Sequence, residues 1–210
     1  MVQLLLDAGA LLGESPRWSV SEQRLYWVDI EGQAIHRTDP ATGADEVMQL
    51  DQQVGCAAPR AGGGLVVAME DRCALIDSWC AAPRRFGPAV LADKPEQRFN
   101  DGCVDGAGRL WVGSLTSDKA HPTATLYRLD PDGSLSEVLG DLTTSNGAAF
   151  SPDGRTFYHA DTPTHRACRR AGGRARPAGG RLDGRTREYA GPPPPGVPRG
   201  LVGRVRQCGG

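Results

Sequence analysis

Long apolar runs are missing from this chain of 210 residues. None approaches the ~18 consecutive apolar residues that span a bilayer. The start, Met1-Val2-Gln3-Leu4-Leu5-Leu6-Asp7, has neither a basic stretch nor an apolar segment long enough for an export signal. A cytoplasmic protein with no membrane partner is expected. The six cysteines, Cys56, Cys73, Cys80, Cys103, Cys168 and Cys208, form no CxxC pair, which excludes a zinc knuckle or a dense disulfide framework and fits reduced thiols. Ser15, Ser114 and Ser145 lie in no GxSxG elbow, so a serine hydrolase is not expected. Helical periodicity is weak, and 28 Gly and 16 Pro interrupt the chain too often for long helices. What remains, 39% hydrophobic and 23% charged residues, is ordinary for a globular protein and rules out a fibre or a wholly disordered chain.

What is present is a repeated strand. Leu25-Tyr26-Trp27-Val28, Leu65-Val66-Val67-Ala68, Leu110-Trp111-Val112-Gly113 and Thr156-Phe157-Tyr158-His159 start 40, 45 and 46 residues apart. Three of the four follow a Gly-containing turn: Gly62-Gly63-Gly64, Asp105-Gly106-Ala107-Gly108-Arg109 and Pro152-Asp153-Gly154-Arg155. A second turn follows in two units, Asp39-Pro40-Ala41-Thr42-Gly43 and Asp130-Pro131-Asp132-Gly133, each between short strands. A period near 45 residues with several short strands per unit predicts the blades of a β-propeller, an all-β fold in which each blade buries its faces against its neighbours.

The net charge of -1 hides a division. Of 24 basic and 25 acidic residues, 10 Arg and 2 acids lie in residues 167–210, leaving 14 basic and 23 acidic residues in 1–166. The blade pattern is expected to stop near Arg166, after which the text has one aromatic residue, four consecutive prolines and no alternating apolar run. The predicted organisation is a partial propeller over 1–166 and a low-complexity Arg/Gly/Pro-rich tail over 167–210. Three readings of the tail stand: a frame-shifted translation of GC-rich coding sequence, a disordered arm tracking nucleic-acid backbones, or a structured end without a recognisable pattern. The first is favoured on composition, so nucleic acid is not the expected partner.

Three segments place polar side chains where a strand ends and Gly or Pro bends the backbone: Leu12-Gly13-Glu14-Ser15-Pro16-Arg17-Trp18, Gln97-Arg98-Phe99-Asn100-Asp101-Gly102 and Ser145-Asn146-Gly147. They lie near the beginnings of successive blades, where equivalent loops of a propeller converge on the central channel. Glu14, Asn100, Asp101 and Asn146 would offer oxygens only, a set suited to Ca²⁺, Mg²⁺ or Mn²⁺. Asn-Gly and Asn-Asp-Gly are also common turns, and both readings remain open at this point. His36, His121, His159 and His165 show no ligand spacing and read as surface or packing residues, while Trp18, Trp27 and Trp111 read as blade core.

Taken together, LGESPRW, RFNDGCVDGAGRLWVGS and SNGAAFSPDGRTFYHADT resemble, in order, the pattern of the senescence marker protein, gluconolactonase and regucalcin-like family. The resemblance covers about residues 8–166. It implies a six-bladed propeller, represented here by three to four blades, that binds one divalent metal ion (Ca, Zn, Mn or Mg) and hydrolyses a sugar lactone to the aldonic acid. By this resemblance Glu14 and Asn146 are metal ligands, Arg98 and Asn100 contact substrate, Asp101 adjoins them as an additional site residue, and Asp118 stands where members often carry a substrate-contacting Glu.

The family's third metal ligand, an aspartate of a later blade that also serves as general base, has no counterpart. Asp183-Gly184 has the letters without the strand context. Lactone hydrolysis requires a polarised carbonyl and a carboxylate to accept the water's proton, so the activity is expected to be lost in this chain unless another chain completes the ring. A non-catalytic, calcium-binding, regucalcin-like propeller or a partner-binding module is the alternative.

Overall fold

The computed structural model describes residues 4–171 together with 187 and 188. Among these residues there are four four-stranded antiparallel sheets, one short 3₁₀ turn at Thr162–Thr164 and no α-helix, so no helix is long and apolar enough to cross a membrane. Blade one is β1 (Gly13–Ser19), β2 (Arg24–Asp29), β3 (Ala34–Thr38) and β4 (Asp45–Gln49). Blade two is β5 (Val54–Pro59), β6 (Leu65–Met69), β7 (Cys73–Ile76) and β8 (Arg84–Arg85). Blade three is β9 (Gln97–Val104), β10 (Leu110–Thr116), β11 (Ala124–Leu129) and β12 (Leu135–Leu142). Blade four is β13 (Ser145–Phe150), β14 (Thr156–Asp161), β15 (Arg166–Ala171) and β16 (Arg187–Glu188). In every blade the strands pair in chain order, and the four repeated strands of the sequence are the second strands, β2, β6, β10 and β14.

The first strands lie innermost: β5 packs on β1 and on β9, and β9 packs on β13. The apolar core is not one mass but three layers between successive blades. Tyr26, Val28 and Ile35 of blade one meet Val54, Val67 and Ile76 of blade two. Cys56, Ala68 and Cys73, on the other face of blade two, meet Phe99, Val112 and Tyr127 of blade three. Cys103, Leu126 and Leu142 then meet Phe157 of blade four. Blade two is thus covered on both faces, which is why Leu65-Val66-Val67-Ala68-Met69 is apolar throughout, as expected of a strand buried on both sides.

Blade one is covered on one face only, and this corrects the reading of Trp18. Trp18 opposes Leu25, which shares a face with Trp27 pointing away from blade two, and it is 46% exposed rather than core. Trp27 is half-buried, stacked on His36 at 3.7 Å, and lines a groove of about 470 Å³ together with residues 5–10 of the entering chain. No other described blade covers that face, so its aromatic side chains keep contact with solvent. Trp111, by contrast, packs on Phe150 and Phe157 between blades three and four.

β15 begins at Arg166, inside the compositional change, and pairs with β14 without interruption from Asp161↔Arg166 to Thr156↔Ala171. Strand pairing runs through backbone groups and does not require an apolar side-chain pattern in an outer strand.

Neighbouring blades approach closely at two glycines, where a side chain would clash. A Cβ on Gly55 of β5 would lie 2.5 Å from the Asn100 carbonyl oxygen of β9, and one on Gly113 of β10 would lie 1.8 Å from Ser145 Oγ of β13. Glycine at these two positions brings the strands carrying Asn100 and Asn146 against their neighbours.

Candidate metal and sugar site

All four innermost strands carry a register irregularity within their pairing with the second strand. In β1 it falls between Glu14 and Arg17, in β5 between Val54 and Cys56, in β9 opposite the Val112–Ser114 stretch, and in β13 between Asn146 and Ala148. A bulge leaves residues out of the ladder and turns their side chains away from the regular alternation, so it can aim polar groups at a common space. Glu14, Asn100, Asp101 and Asn146 all lie at or beside these bulges. Ser15 and Gly147 have positive φ, 51° and 71°, as the bulge conformation requires there.

Two buried carboxylates pin the entry of the blades that bear Glu14 and Asn146. Asp29, at the end of β2, accepts hydrogen bonds from the N–H groups of Leu11 and Leu12 at 2.9 and 2.8 Å, just before Gly13. Asp161, at the end of β14, accepts from Thr143 at 3.3 Å and Thr144 at 2.8 Å, just before Ser145. Gly13 opposes Asp29 and Ser145 opposes Asp161, so Glu14 and Asn146 occupy equivalent positions in their blades. These two aspartates were not picked out as candidates, although the repeat contains their signal: LYWVD and FYHAD end on the same residue.

The three segments meet. Asn100 Nδ2 donates to the Ser145 carbonyl oxygen at 2.9 Å, which fixes the carboxamide of a 92%-buried side chain and leaves Oδ1 toward Arg98, whose Nη1 donates to it at 3.2 Å. Asp101 Oδ2 accepts from the Gly147 and Ala148 N–H groups at 3.0 and 3.3 Å, while Oδ1 pairs with Arg17 Nη2 at 3.2 Å. Arg17 also donates to the Gly102 carbonyl oxygen. Glu14 has no hydrogen-bonded cation among the described residues; burial first, and the negative charge of Asp101 second, push its carboxyl above the usual range, with Arg98 opposing. Burial pushes the Arg98 guanidinium down, while Glu31, Glu14 and Glu70 favour its charged form.

Asp118 stands apart on the turn after β10, at the same end of blade three as Arg98. Its carboxylate accepts from the Ala120 and His121 N–H groups at 2.9 and 3.2 Å and pairs with the His121 imidazole. These contacts lower its pKa to about 2, so it is ionised throughout the physiological range. His36 and His159 are packing residues, paired with Asp45 at 2.6 Å and with Ser145 Oγ at 2.7 Å. Asp183 lies outside the described residues.

The donor set fits a hard dication in kind, being all oxygen, and a carboxyl with a raised pKa facing a second carboxylate is a place where a cation relieves repulsion. Anionic charge is low, however: no group of three His, Cys, Asp or Glu residues able to hold a metal occurs among the described residues. Among the described residues Asn146 Oδ1 accepts only from its neighbour Gly147 N–H, at 3.1 Å, and retains capacity for a cation.

The chain is 41% identical over 160 residues to 6-deoxy-6-sulfogluconolactonase of Pseudomonas putida, covering 74% of this chain and 53% of that protein. It is 39% identical over 155 residues to regucalcin of Danio rerio, covering 72% and 51%. The crystal structure of a calcium-binding protein, regucalcin, from Agrobacterium tumefaciens superposes with a TM-score of 0.72 at 26% identity, covering 77% of this chain and 54% of that one. The chain therefore spans about half the length of the relatives it matches. The match to the region described as SMP-30/Gluconolactonase/LRE-like runs over residues 12–198, past the compositional change at 166. With four consecutive propeller blades and a family match over most of its length, the chain belongs to the SMP-30/gluconolactonase/LRE-like family.

Proposed function

We propose that this chain carries the metal- and sugar-binding part of a sugar lactonase, whose reaction is metal-assisted hydrolysis of an aldonolactone to the aldonic acid. The observation that carries the reading is the convergence of Glu14 from blade one, Asn100 and Asp101 from blade three and Asn146 from blade four at or beside strand bulges, with Arg98 of the same strand β9 donating to Asn100. Glu14 and Asn146 Oδ1 would hold a divalent cation, with Ca, Zn, Mn and Mg as candidates. A bound dication supplies polarisation of the lactone carbonyl and a more acidic water. Arg98 offers N–H donors to ring or hydroxyl oxygens, and its bond to Asn100 keeps the two side chains in one orientation. Asp118, ionised at the rim, accepts from a sugar hydroxyl.

The water's proton needs an acceptor. Asp101 is committed to Arg17 and to two backbone N–H groups and does not serve. The 210-residue chain is therefore expected to bind lactone without efficient turnover unless a further carboxylate is supplied by another chain. The test is titration calorimetry with glucono-, galactono-, xylono- and arabinono-lactone, with Ca²⁺, Mn²⁺ or Zn²⁺ and with chelator, alongside lactone opening followed by a pH indicator. Lactone binding that needs both the metal and Arg98 is expected; binding indifferent to both overturns the reading, and metal-stimulated turnover by this chain refutes its inactivity. A binding-only, calcium-holding role is the second reading, favoured by the low anionic charge of the ligand set, since no group of three His, Cys, Asp or Glu residues able to hold a metal occurs among the described residues. Metal-induced thermal stabilisation with no lactone binding would select it.

A further inference from the structure

Asp101 belongs to no regular pairing of its own blade, because the bulge of β9 leaves it out of the ladder with β10. On β13 a second bulge does the same to Gly147: Asn146 opposes Ala160 and Ala148 opposes His159, with Gly147 skipped. The irregularities face each other across the seam between blades three and four. The Asp101 carboxylate fills that seam, with Oδ2 within hydrogen-bond distance of both the Gly147 and Ala148 N–H groups and Oδ1 held by the Arg17 guanidinium of blade one.

From this geometry we infer that Asp101 is a positioning residue: its carboxylate locks the bulge that follows Asn146 and so fixes where the Asn146 carboxamide points, with Arg17 as the strut that holds the carboxylate in place. Three blades are thereby tied by one side chain. The physical basis is that bulge N–H groups need a partner, and a carboxylate accepting two of them makes stronger bonds than a neutral acceptor. Gly147 at φ 71° has no Cβ to stiffen its backbone, so without an external acceptor the Asn146-Gly147 peptide would be free to reorient. Among the described residues, Asn146 has no side-chain anchor beyond the bond from Gly147 N–H to its Oδ1. Asn100, by contrast, is fixed directly through its amide, at 2.9 Å to the Ser145 carbonyl.

The inference rests on the metal reading only for its functional consequence, since the clamp is made of protein groups alone. Two variants separate positioning from charge. Asp101→Asn retains an oxygen for the Gly147 and Ala148 N–H groups but removes the negative charge, whereas Asp101→Ala removes both. Hydrogen exchange of the Gly147 and Ala148 amides in metal-free protein is expected to accelerate at least tenfold in Asp101→Ala and by less than about threefold in Asp101→Asn, with the amides of β5 and β6 reporting whether the fold is intact. Calcium or terbium affinity is expected to fall in the same order, about tenfold or more for Ala and within about threefold for Asn. Equal effects of Asn and Ala on affinity would mean that Asp101 acts through charge alone, and unchanged exchange at Gly147 and Ala148 in Asp101→Ala would remove the clamp; either result overturns the inference. Wild-type protein that binds neither ion, with amide exchange behaving as expected, would defeat the metal reading and leave the clamp standing.

Discussion

Blades one and four begin with the same backbone device and end with different chemistry. Each has an aspartate at the close of its second strand, Asp29 or Asp161, that accepts backbone N–H groups from the segment entering the first strand. Each places its candidate ligand one residue beyond the position opposite that aspartate, and each then bulges. Yet blade one presents Glu14, an acid without a hydrogen-bonded cation among the described residues and with a raised pKa, while blade four presents Asn146, neutral and held through a neighbour clamped by Asp101. The lesson is that the repeat conserves scaffold geometry and leaves the side chain at the bulge free to vary, so function is written in the departures from the repeat.

Removing the shared device should have the largest effect. Asp29→Ala and Asp161→Ala each leave two or more N–H groups near the core without an acceptor and are expected to cost about 3 kcal/mol, lowering Tm by roughly 10 °C for a chain of this size; unfolding curves check this. A large cost at only one of the two would show that the blades are not equivalent. The pH dependence of Asp29 follows from its partners. Burial opposes its ionisation, but donation from the Leu12, Leu11 and Gly32 N–H groups outweighs it and holds the carboxyl below its ordinary value. Its ionised form is thus favoured by folding, and this share of stability is present above the unfolded pKa near 4 and lost as pH falls through the folded value. Stability of Asp29→Asn measured between pH 6 and pH 3 should fall less steeply than that of wild type.

The two bulges should respond in opposite directions to exchanging glycine. Gly147→Ala forces a Cβ into φ 71° and is expected to cost about 1–2 kcal/mol. Ser15→Gly relieves a non-glycine residue at φ 51° and removes a buried hydroxyl without a hydrogen-bond partner among the described residues. It is expected to stabilise by about 1 kcal/mol. Destabilisation by Ser15→Gly in urea denaturation would mean that the Ser15 hydroxyl matters more than its backbone strain.

Changes at the ligands themselves should move stability least and metal response most. Because folding raises the Glu14 carboxyl pKa, its ionised form destabilises the metal-free protein at neutral pH, and stability is regained as pH falls toward the raised value. Glu14→Gln should therefore stabilise metal-free protein slightly, by less than about 0.5 kcal/mol given its exposure, while abolishing stabilisation by calcium. Asn146→Asp should do the reverse, lowering metal-free Tm and tightening calcium binding, because carboxylate count sets affinity in such sites. Calorimetric titration and thermal scans with and without calcium distinguish the pair.

Much of this was legible in the chain because β-propeller repeats imprint a period. The strands β2, β6, β10 and β14 and the outer turns at Asp39–Gly43 and Asp130–Gly133 stand where the repeat puts them. Glu14, Asn100 and Asn146 were flagged because Gly or Pro beside a polar residue marks irregular backbone. Trp18 reads as core from the sequence yet is exposed, because an aromatic residue in a strand shows that some face is apolar, not which faces acquire a neighbour. β15 was not anticipated because an outer strand is held by backbone hydrogen bonds that leave little trace in an Arg-rich text. Arg17, quoted within LGESPRW, gained its role only when 84 residues of separation closed to a 3.2 Å contact with Asp101.

The sequence by itself determined the blade, its period and the residue types available for chemistry, because strand alternation and turn residues are local properties with fixed spacing. The tertiary structure alone decided that Asp101 reaches the amides beyond Asn146, that Asn100 rests on the Ser145 carbonyl and that the negative charge of Asp101 raises the Glu14 carboxyl. Those are relations between bulges on different strands, set by how closely the blades pack at Gly55 and Gly113, and no spacing along the chain encodes them.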